Sequence, residues 1–316
     1  MHRISCNKCQ PKHHYRRWGK MNIAVLEALK AVAETGSFTR AANHLGMSQP
    51  GLSRQIQRLE RELGTRLLER RGTGAILTDA GRESMNFAIR TISDFDALVS
   101  RFGPDPSALT GVIRIVASTT PAEYLIPGLV AEFTGDRTGI SVEVLVTDSA
   151  QVARMLGDRQ ADLGLSDMPS TSVGFSAISV GRDEVVLAVS NEHRFADQRS
   201  ITIDQLRDEN IIEREGGSGT WQTVVQALSS TGVELPEHKV SMTLGSTQAV
   251  IAAVAQNLGI GFVTVQAANS RPDEVTAVRI DGLSLERDLN LVFETGRVRA
   301  RHTQAFIDFV QNRSES

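Results

Sequence analysis

The third of three successive helical segments constrains this chain most. In residues 49–63, Leu52, Ile56, Leu59 and Leu63 recur at spacings of three and four and define one narrow apolar face. Polar residues occupy the opposite face. The pattern predicts a short amphipathic helix that packs on other helices through its apolar side and leaves a polar surface in solvent.

The two segments before it have the boundaries of a helix-turn-helix. A first helix begins at about Ile23, and Gly36 fits its end because glycine readily adopts the left-handed backbone conformation. Ser37 fits the N-cap of a second helix, Gly46 its end, and Ser48 the N-cap of the third. A short turn that contains glycine is typical of a helix-turn-helix.

The start of the third helix is the end that reaches base edges when such a motif docks on DNA. Glutamine forms paired hydrogen bonds with adenine, and arginine does so with guanine or holds a phosphate. Two short strands joined at residues 72–74 predict a hairpin wing whose arginines lie at the sugar-phosphate backbone. The DNA-binding candidates are Ser37, Thr39, Arg40, Ser48, Gln49, Pro50, Ser53, Arg54, Gln57, Arg70 and Arg71.

The distribution of charge agrees with a DNA-binding head. Residues 1–80 contain 14 Lys and Arg against 6 Asp and Glu, a net charge of +8. The 316-residue chain carries −3, so the remainder carries −11. A basic head neutralises phosphates, whereas an acidic body is repelled by them.

A long helix follows the wing, with Thr78 as its cap and an end near Phe102. Glycine and proline at residues 103–106 break it and predict a hinge. Its apolar residues form a narrow seam of the kind that one helix presents to another. The seam predicts a dimer contact, and packing on the helix's own domain is the alternative. Its members are Met85, Ile89, Ile92, Phe95, Val99 and Phe102.

Beyond residue 110 the pattern changes to alternating strands and helices, which indicates an α/β fold with largely parallel sheets. A buried strand ends at Ser118 and Thr119, where Thr120, Pro121 and Glu123 read as a capping box that starts a helix. Free backbone N–H groups at such a corner, where a strand ends and a helix begins, favour an anionic ligand.

A second corner of this kind lies at residues 214–220. Gly217 and Gly219 allow the backbone to approach a ligand closely, and Ser218 and Thr220 supply hydroxyls. Glu215 would repel an anion unless it pairs with a cation such as the neighbouring Arg214. A simple turn is the alternative, but two such corners in one body predict a shared polar cleft.

These motifs resemble, along the whole chain, the LysR-type transcriptional regulators. The resemblance implies a winged helix-turn-helix at residues 21–78, a dimerisation helix at 79–103 and an effector-binding domain at 111–316. That domain resembles a type 2 periplasmic-binding fold of two α/β lobes. Lobe I is expected at about residues 111–182 and 281–316, and lobe II at about 183–280. The chain is expected to cross between them near residues 182–186 and 281–288.

The same resemblance implies that a small polar or anionic effector binds between the lobes. Residues 214–220 resemble a subgroup of sulfur-assimilation and carbon-fixation regulators, which respond to small anions or to phosphorylated and carboxylated metabolites. The expected partners are an interrupted palindrome in double-stranded DNA, a second copy paired through the long helix, commonly a tetramer, and RNA polymerase if the protein activates. The effector candidates are Ser118, Thr119, Thr120, Ser166, Gly217, Ser218, Gly219, Thr220, Gln248 and Thr264.

Composition excludes several other classes. No apolar run is long enough for a membrane helix, and the N-terminal residues contain no apolar core before a cleavage site, so we expect no signal peptide and a bacterial cytoplasmic protein. Cys6 and Cys9 lie with His13 and His14 in the first 20 residues at a spacing that does not fit a zinc finger, so no metal is expected. The body contains no cysteine, which excludes a thiol-disulfide switch. The first 20 residues are either a disordered basic arm or precede a natural start at Met21.

Two other functions compete with a regulator. An enzyme would need a nucleophile elbow, a metal-ligand cluster or a phosphate loop, and none is found. No histidine pairs with Ser218 as a base. A solute-binding module for transport is opposed by the DNA-binding head and by the absence of a signal peptide. The sequence therefore predicts an effector-controlled DNA-binding regulator without catalytic residues or a cofactor.

Overall fold

The chain forms two units, with their boundary between Ser93 and Asp94. The N-terminal tail, the wing tip at residues 72–73 and the predicted hinge at residues 103–106 lie outside the described residues, as do the side chains of Arg70 and Arg71. The computed structural model describes residues 22–71, 74–102, 109–135, 137–167, 173–207, 209–232, 235 and 239–314.

The first unit contains three helices followed by a two-stranded hairpin and the start of a long helix. The two strands pair antiparallel, with Leu68 opposite Leu77. The elements are α1 Ile23–Thr35, α2 Phe38–His44, α3 Gln49–Leu63, β1 Leu68–Arg71, β2 Gly74–Leu77 and α4 Asp79–Arg101.

Local sequence explains these boundaries. Gly36 ends α1 in the left-handed conformation, at φ 62°, and the Ser37 and Ser48 hydroxyls accept backbone N–H groups at the starts of α2 and α3. Leu52 and Ile56 are buried among the core residues of α1 and α2. The sequence pattern thus predicts all three helices, because their caps and apolar stripes lie within each segment.

One carboxylate joins α3 to the wing. Glu60 accepts hydrogen bonds from the backbone N–H groups of Leu67 at 2.9 Å and Leu68 at 3.3 Å. Both leucines are buried in the core of this unit. Glu60 therefore fixes the wing relative to the polar face of α3.

The long helix α4 divides its apolar residues between two roles. Ile92 is buried with Leu26 of α1, as expected if this part of α4 packs on its own domain. Phe95, Val99 and Phe102 are 47%, 53% and 79% exposed, as an unpaired seam would be. Among the described residues, no helix is long and apolar enough to cross a membrane.

The second unit alternates strands and helices. Its strands are β3 Gly111–Ser118, β4 Ile140–Thr147, β5 Leu163–Ser166, β6 Phe175–Ser190, β7 Ser200–Ile201, β8 Asn210–Arg214, β9 Lys239–Leu244, β10 Ile260–Thr264, β11 Val275–Ile280 and β12 Glu286–Glu294. Its helices are α5 Thr119–Tyr124, α6 Ile126–Thr134, α7 Ser149–Gly157, α8 Gly219–Thr231, α9 Thr247–Ala255, α10 Val265–Ala268 and α11 Arg301–Ser314.

Two long antiparallel strands connect two α/β lobes. The strand order β4-β3-β5-β12-β6 builds lobe I, and β6-β10-β8-β9 with β11 and β7 builds lobe II. Strands β6 and β12 pair along most of their length, with Asp183 opposite Arg287 at the crossing. Parallel pairs therefore lie on the outer sides, and antiparallel pairs form the centre of the sheet.

Each lobe has its own apolar core, and the ends of the strands face the space between the lobes. Lobe I is centred on Ile115, Phe133 and Phe306, which are almost fully buried. Lobe II has Leu187 and Phe262 at equivalent depth. Rigid cores of this kind hold the loops at the strand ends in fixed positions.

Three sequence predictions are wrong in detail. The capping box at Thr120 and Glu123 does not form, because α5 begins at Thr119 with Ser118 as its N-cap and no side-chain cap bond. Leu63 is 45% exposed, because it ends α3 beyond the reach of the core. The sheets are mixed rather than largely parallel, because β6 is a 16-residue strand shared by both lobes.

We predict that Glu60→Ala destabilises the first unit by about 1–3 kcal/mol, because two backbone N–H groups lose their acceptor. Glu62→Ala removes only a surface pair with Arg58 and is expected to change stability by at most about 0.5 kcal/mol. Thermal unfolding of both variants checks this. Equal effects would contradict the role given to Glu60.

Candidate functional site

The first two turns of α3 present an exposed polar surface. Gln49, Pro50 and Arg54 are exposed and Ser53 is half-buried, opposite the buried face of the helix. The Ser48 hydroxyl accepts from the Gly51 N–H at 3.2 Å and thereby starts the helix at Gln49. The predicted α3 residues therefore share one surface.

A groove runs between α3 and the wing. It is lined on the helix side by Ser53, Gln57 and Arg61 and on the wing side by Arg66. The Gln57 amide donates to the Ser53 hydroxyl at 3.5 Å, and Arg61 Nε donates to the Gln57 carbonyl at 3.2 Å. These contacts hold polar groups along a surface that leads from the start of α3 to the wing.

The predicted residues of α2 have different environments. Thr39 and Arg40 are exposed, whereas the Ser37 hydroxyl accepts from the Arg40 N–H at 3.4 Å and caps the helix. The Arg40 guanidinium donates to the Thr35 carbonyl. Arg70 and Arg71 lie in the wing strand β1.

A polar cleft lies between the lobes of the second unit, at the carboxyl ends of four strands. Strands β3, β5, β8 and β10 end there, which is where open α/β sheets bind ligands. The predicted residues at these ends are nearly all buried, and Ser118 is 2% exposed with a hydroxyl that has no hydrogen-bond partner in the described chain. The buried members are Ser118, Thr120, Ser166, Ser218, Thr220 and Thr264.

The glycines of lobe II approach carboxylates of lobe I. A Cβ on Gly217 would lie 2.6 Å from the carboxyl carbon of Asp148, and one on Gly219 would lie 2.2 Å from the nearer carboxylate oxygen of Asp167. The sequence predicts that these glycines admit a ligand. The structure shows that they admit acidic side chains of the opposite lobe.

A buried ion cluster joins the crossing strands to this cleft. Arg287 of β12 donates to Asp167 at 2.5 Å and to Asp183 of β6 at 2.8 and 3.1 Å. All three side chains are at most 5% exposed. Arg287 also donates to the Thr120 hydroxyl at 3.4 Å, and the Ser149 hydroxyl donates to Asp167. The cluster therefore ties both crossing strands to β5, α5 and α7.

Burial raises the pKa of the Asp183 carboxyl above its usual range, although Arg287 acts in the opposite direction. One carboxylate oxygen of Asp183 has no partner among the described residues. One arginine thus faces two buried carboxylates, so their charges do not balance when both are ionised.

A second arginine lies on the lobe II side. Arg214, at the end of β8, is 4% exposed and contacts Glu215, Thr247 and, at 3.5 Å, Thr119 of lobe I. The pairing of Arg214 with Glu215, considered from the sequence, is therefore present. Gln248 donates to the Tyr124 hydroxyl, so it also spans the two lobes.

Some predicted effector residues have local structural roles. The Ser218 hydroxyl accepts from the Trp221 N–H at 3.4 Å and caps α8. The Thr264 hydroxyl accepts from the Ala267 N–H at 3.2 Å and caps α10, and Thr264 has no exposed surface. The Thr120 hydroxyl accepts from Arg287 instead of capping a helix.

Several cleft residues are missed by sequence reasoning. Asp167 is the last residue of segment 161–167, whose pattern predicts a strand, and an acidic residue at a strand end is a usable signal. Asp183, Thr247 and Arg287 have no local motif, because each gains its role from a partner more than 30 positions away. Glu123, expected in a capping box, instead lies half-buried near Gln248 and Arg214, and desolvation raises its pKa.

Two protein-family models match the chain. The one described as "LysR substrate binding domain" matches residues 106–315. The one described as "Bacterial regulatory helix-turn-helix protein, lysR family" matches residues 23–82. The first match includes the cleft, and the second includes the α3 surface.

Individual proteins are similar over most of the chain. The RuBisCO operon transcriptional regulator of Allochromatium vinosum is 30% identical over 292 residues, covering 92% of this chain and 95% of that protein. Full-length CbnR in complex with its target DNA has a TM-score of 0.70 at 23% identity, covering 93% and 100% of the two chains, and shows the fold. The regulatory domain of CcmR from Synechocystis PCC6803, in complex with 2-PG, has a TM-score of 0.59 at 27% identity, covering 66% and 99%.

We predict that Gly219→Ala destabilises the second unit by about 1–3 kcal/mol, because its Cβ would overlap the Asp167 carboxylate. The matched control is Gly216→Ala, whose Cβ would meet no atom within 4 Å, and its effect is expected within about 0.5 kcal/mol. Chemical unfolding of the two variants checks this. Identical unfolding midpoints of the two variants would show that the Asp167 side chain moves aside without a loss of stability.

The raised pKa of Asp183 predicts a pH dependence. Its folded pKa lies above the unfolded value near 3.8, so its contribution to stability is present below that value and is lost as pH rises through the folded pKa. The stability of the wild type relative to Asp183→Asn should therefore fall with rising pH.

Thermal unfolding of both proteins over the acidic range checks this dependence, with Asp288→Asn, which changes an exposed carboxylate of the same crossing, as control. A wild type that gains stability relative to Asp183→Asn as pH rises would contradict it.

Proposed function

The chain belongs to the LysR family of bacterial transcriptional regulators, as its motifs predict, and we propose that a small anionic effector in the interlobe cleft controls its contact with DNA. It is a DNA-binding regulator with an effector-binding unit, and the expected resemblance to carbon-fixation regulators is confirmed by a relative. The exposed polar start of α3 on a basic head carries the DNA-binding part of the proposal, and the buried polar cleft at the strand ends carries the effector part.

The proposed DNA contacts follow from that surface. Gln49 and Arg54 are exposed at the end of α3 that reaches base edges, with Ser53 beside them. Thr39 and Arg40 lie at the start of α2, and arginines of the wing would meet phosphates. Of the remaining sequence candidates, Ser37 and Ser48 cap α2 and α3, Pro50 lies in the first turn of α3, and Gln57 lines the groove. Arg70 and Arg71 belong to the wing strand β1 and would add positive charge there.

Pairing of two copies would double the base contacts. The exposed apolar residues of α4, Phe95, Val99 and Phe102, form a surface that a second α4 would cover. Strand β4 also exposes apolar residues at the sheet edge, including Leu145 at 52%. A dimer through α4, joined into a tetramer through such edges, would read an interrupted palindrome, because each subunit contacts one half-site.

The effector side of the proposal depends on the chemistry of the cleft. Buried hydroxyls at the ends of β3 and β8, with Arg214 between the lobes, suit a small molecule that carries an acidic group. The similarity to a regulatory domain in complex with 2-PG supports a small-molecule ligand in this unit. The protein would act by binding rather than by turnover, in the bacterial cytoplasm where the chromosome lies, and would contact RNA polymerase if it activates.

We predict that Arg54→Ala strongly weakens sequence-specific DNA protection by the full-length protein, because loss of a proposed bidentate base contact would cost about 1–3 kcal/mol at each half-site. Lys30→Ala removes one positive charge of the same unit from the exterior of α1 and should leave the protected sites unchanged. Genome-wide footprinting in one host compares the three proteins. Diffuse binding by the wild type that Arg54→Ala leaves unaltered would overturn the proposed function.

A further inference from the structure

Arg214 is a buried and immobilised cation in the cleft. Its Nε donates to the Leu244 carbonyl at 3.2 Å, and one terminal nitrogen donates to the Thr247 hydroxyl at 2.9 Å. The Arg214 side chain is 3% exposed. Contacts from lobe II alone therefore keep the guanidinium in place, whatever occupies its remaining donors.

The adjacent residue, Glu215, shares the Nε hydrogen with the Leu244 carbonyl and takes a further terminal donor. Glu215 accepts from Arg214 Nε and from a terminal nitrogen, both at 2.9 Å, which is the two-pronged geometry that arginine forms with any carboxylate or phosphate. The Glu215 side chain is 29% exposed, so it covers the solvent side of the cation. Gly216 follows, and no atom lies within 4 Å of its Cβ position, so the backbone directly after Glu215 is not enclosed by neighbouring side chains.

The opposite lobe offers polar groups that are incompletely used. The Thr119 hydroxyl lies 3.5 Å from an Arg214 nitrogen and 3.5 Å from the Thr247 hydroxyl, at the outer limit of a hydrogen bond. The preceding Ser118 hydroxyl is buried and has no partner in the described chain. A buried hydroxyl without a partner is costly, so a ligand that supplies one gains affinity.

We infer that Glu215 is a resident substitute for the acidic group of the effector. A carboxylate or phosphate of a small metabolite binds Arg214 in the place of Glu215, reaches the hydroxyls of Thr119 and Thr247, and releases Glu215 to solvent. This inference rests on the proposed function of the cleft, and it assigns the recognition of the anion to one residue.

Charge explains why the exchange is required. With Glu215 in place, the Arg214 pair is neutral, and a second anion would lie beside the Glu215 carboxylate. Glu123 also lies near this cation, and burial raises the pKa of its carboxyl. Displacement of Glu215 removes the repulsion between its carboxylate and the ligand and restores the two-pronged pairing of Arg214 with the ligand.

The competition also gives selectivity. A neutral ligand cannot replace Glu215 on Arg214. A weakly binding anion gains no more from the guanidinium than Glu215 already does. Glu215 lowers the apparent affinity of every ligand for Arg214, in proportion to the fraction of sites that it leaves open. Only a metabolite that also contacts both lobes therefore displaces Glu215. Exchange would draw Thr119 of lobe I towards Arg214 of lobe II.

The test compares Glu215→Gln with the wild type by calorimetric titration of the full-length protein. The probes are acetate, inorganic phosphate and 2-phosphoglycolate, which carries both acidic groups. Glu215→Gln is expected to bind 2-phosphoglycolate roughly tenfold more tightly, because the competing charge is gone while the side-chain size is kept. The acetate and phosphate arms identify which acidic group Arg214 prefers.

Two further variants complete the comparison. Arg214→Lys, which loses the fork, is expected to bind at least about tenfold more weakly. Glu132→Gln removes an acidic partner of an exposed arginine outside the cleft and should bind as the wild type does. Glu215→Gln carries the test if Arg214→Lys does not fold.

The outcomes separate the two proposals. Equal affinities of the wild type and Glu215→Gln for 2-phosphoglycolate would overturn the exchange and leave an anionic effector site in the cleft. Failure of both proteins to bind any of the three anions would overturn the exchange and the anionic effector together.

Discussion

The buried contact of Arg287 with Asp167 and Asp183 is the interaction on which the two-lobed unit depends. It lies where β6 and β12 pass from one lobe to the other, and it also reaches α5 through Thr120. Loss of the guanidinium would leave two carboxylates buried without a counter-charge, which is far more costly than loss of a surface pair. The cluster therefore sets the geometry of the crossing from which both walls of the cleft extend.

The cleft is built from groups that are held in place by one lobe and presented to the other. Gly219 rests on Asp167, and Arg214 contacts Thr119, so each wall ends on polar atoms of its neighbour. A ligand between such walls changes the closure of the lobes by as much as its affinity differs between open and closed forms. This is a physical basis for control of DNA binding without catalysis, since only relative affinities need to change.

Sequence reasoning succeeds where the determinants are local. The caps at Ser37 and Ser48 and the stripe of Leu52 and Ile56 predict the DNA-binding helices, because each signal lies within one segment. It fails where a distant partner competes: the Thr120 hydroxyl accepts from Arg287 across 167 positions and does not cap α5. The pairing of Arg214 with Glu215 is visible to sequence because the residues are adjacent, whereas the Thr247 contact that fixes Arg214 is not.

The most direct test of the account is whether the two functional surfaces are linked. The affinity of the full-length protein for 2-phosphoglycolate would be measured without DNA and with a saturating duplex that carries a footprinted site. The affinity of the protein for that duplex would then be measured with and without 2-phosphoglycolate. Control of DNA binding from the cleft predicts that both affinities change by the same factor, since linkage is reciprocal. Tight binding of both partners with no mutual effect would contradict it.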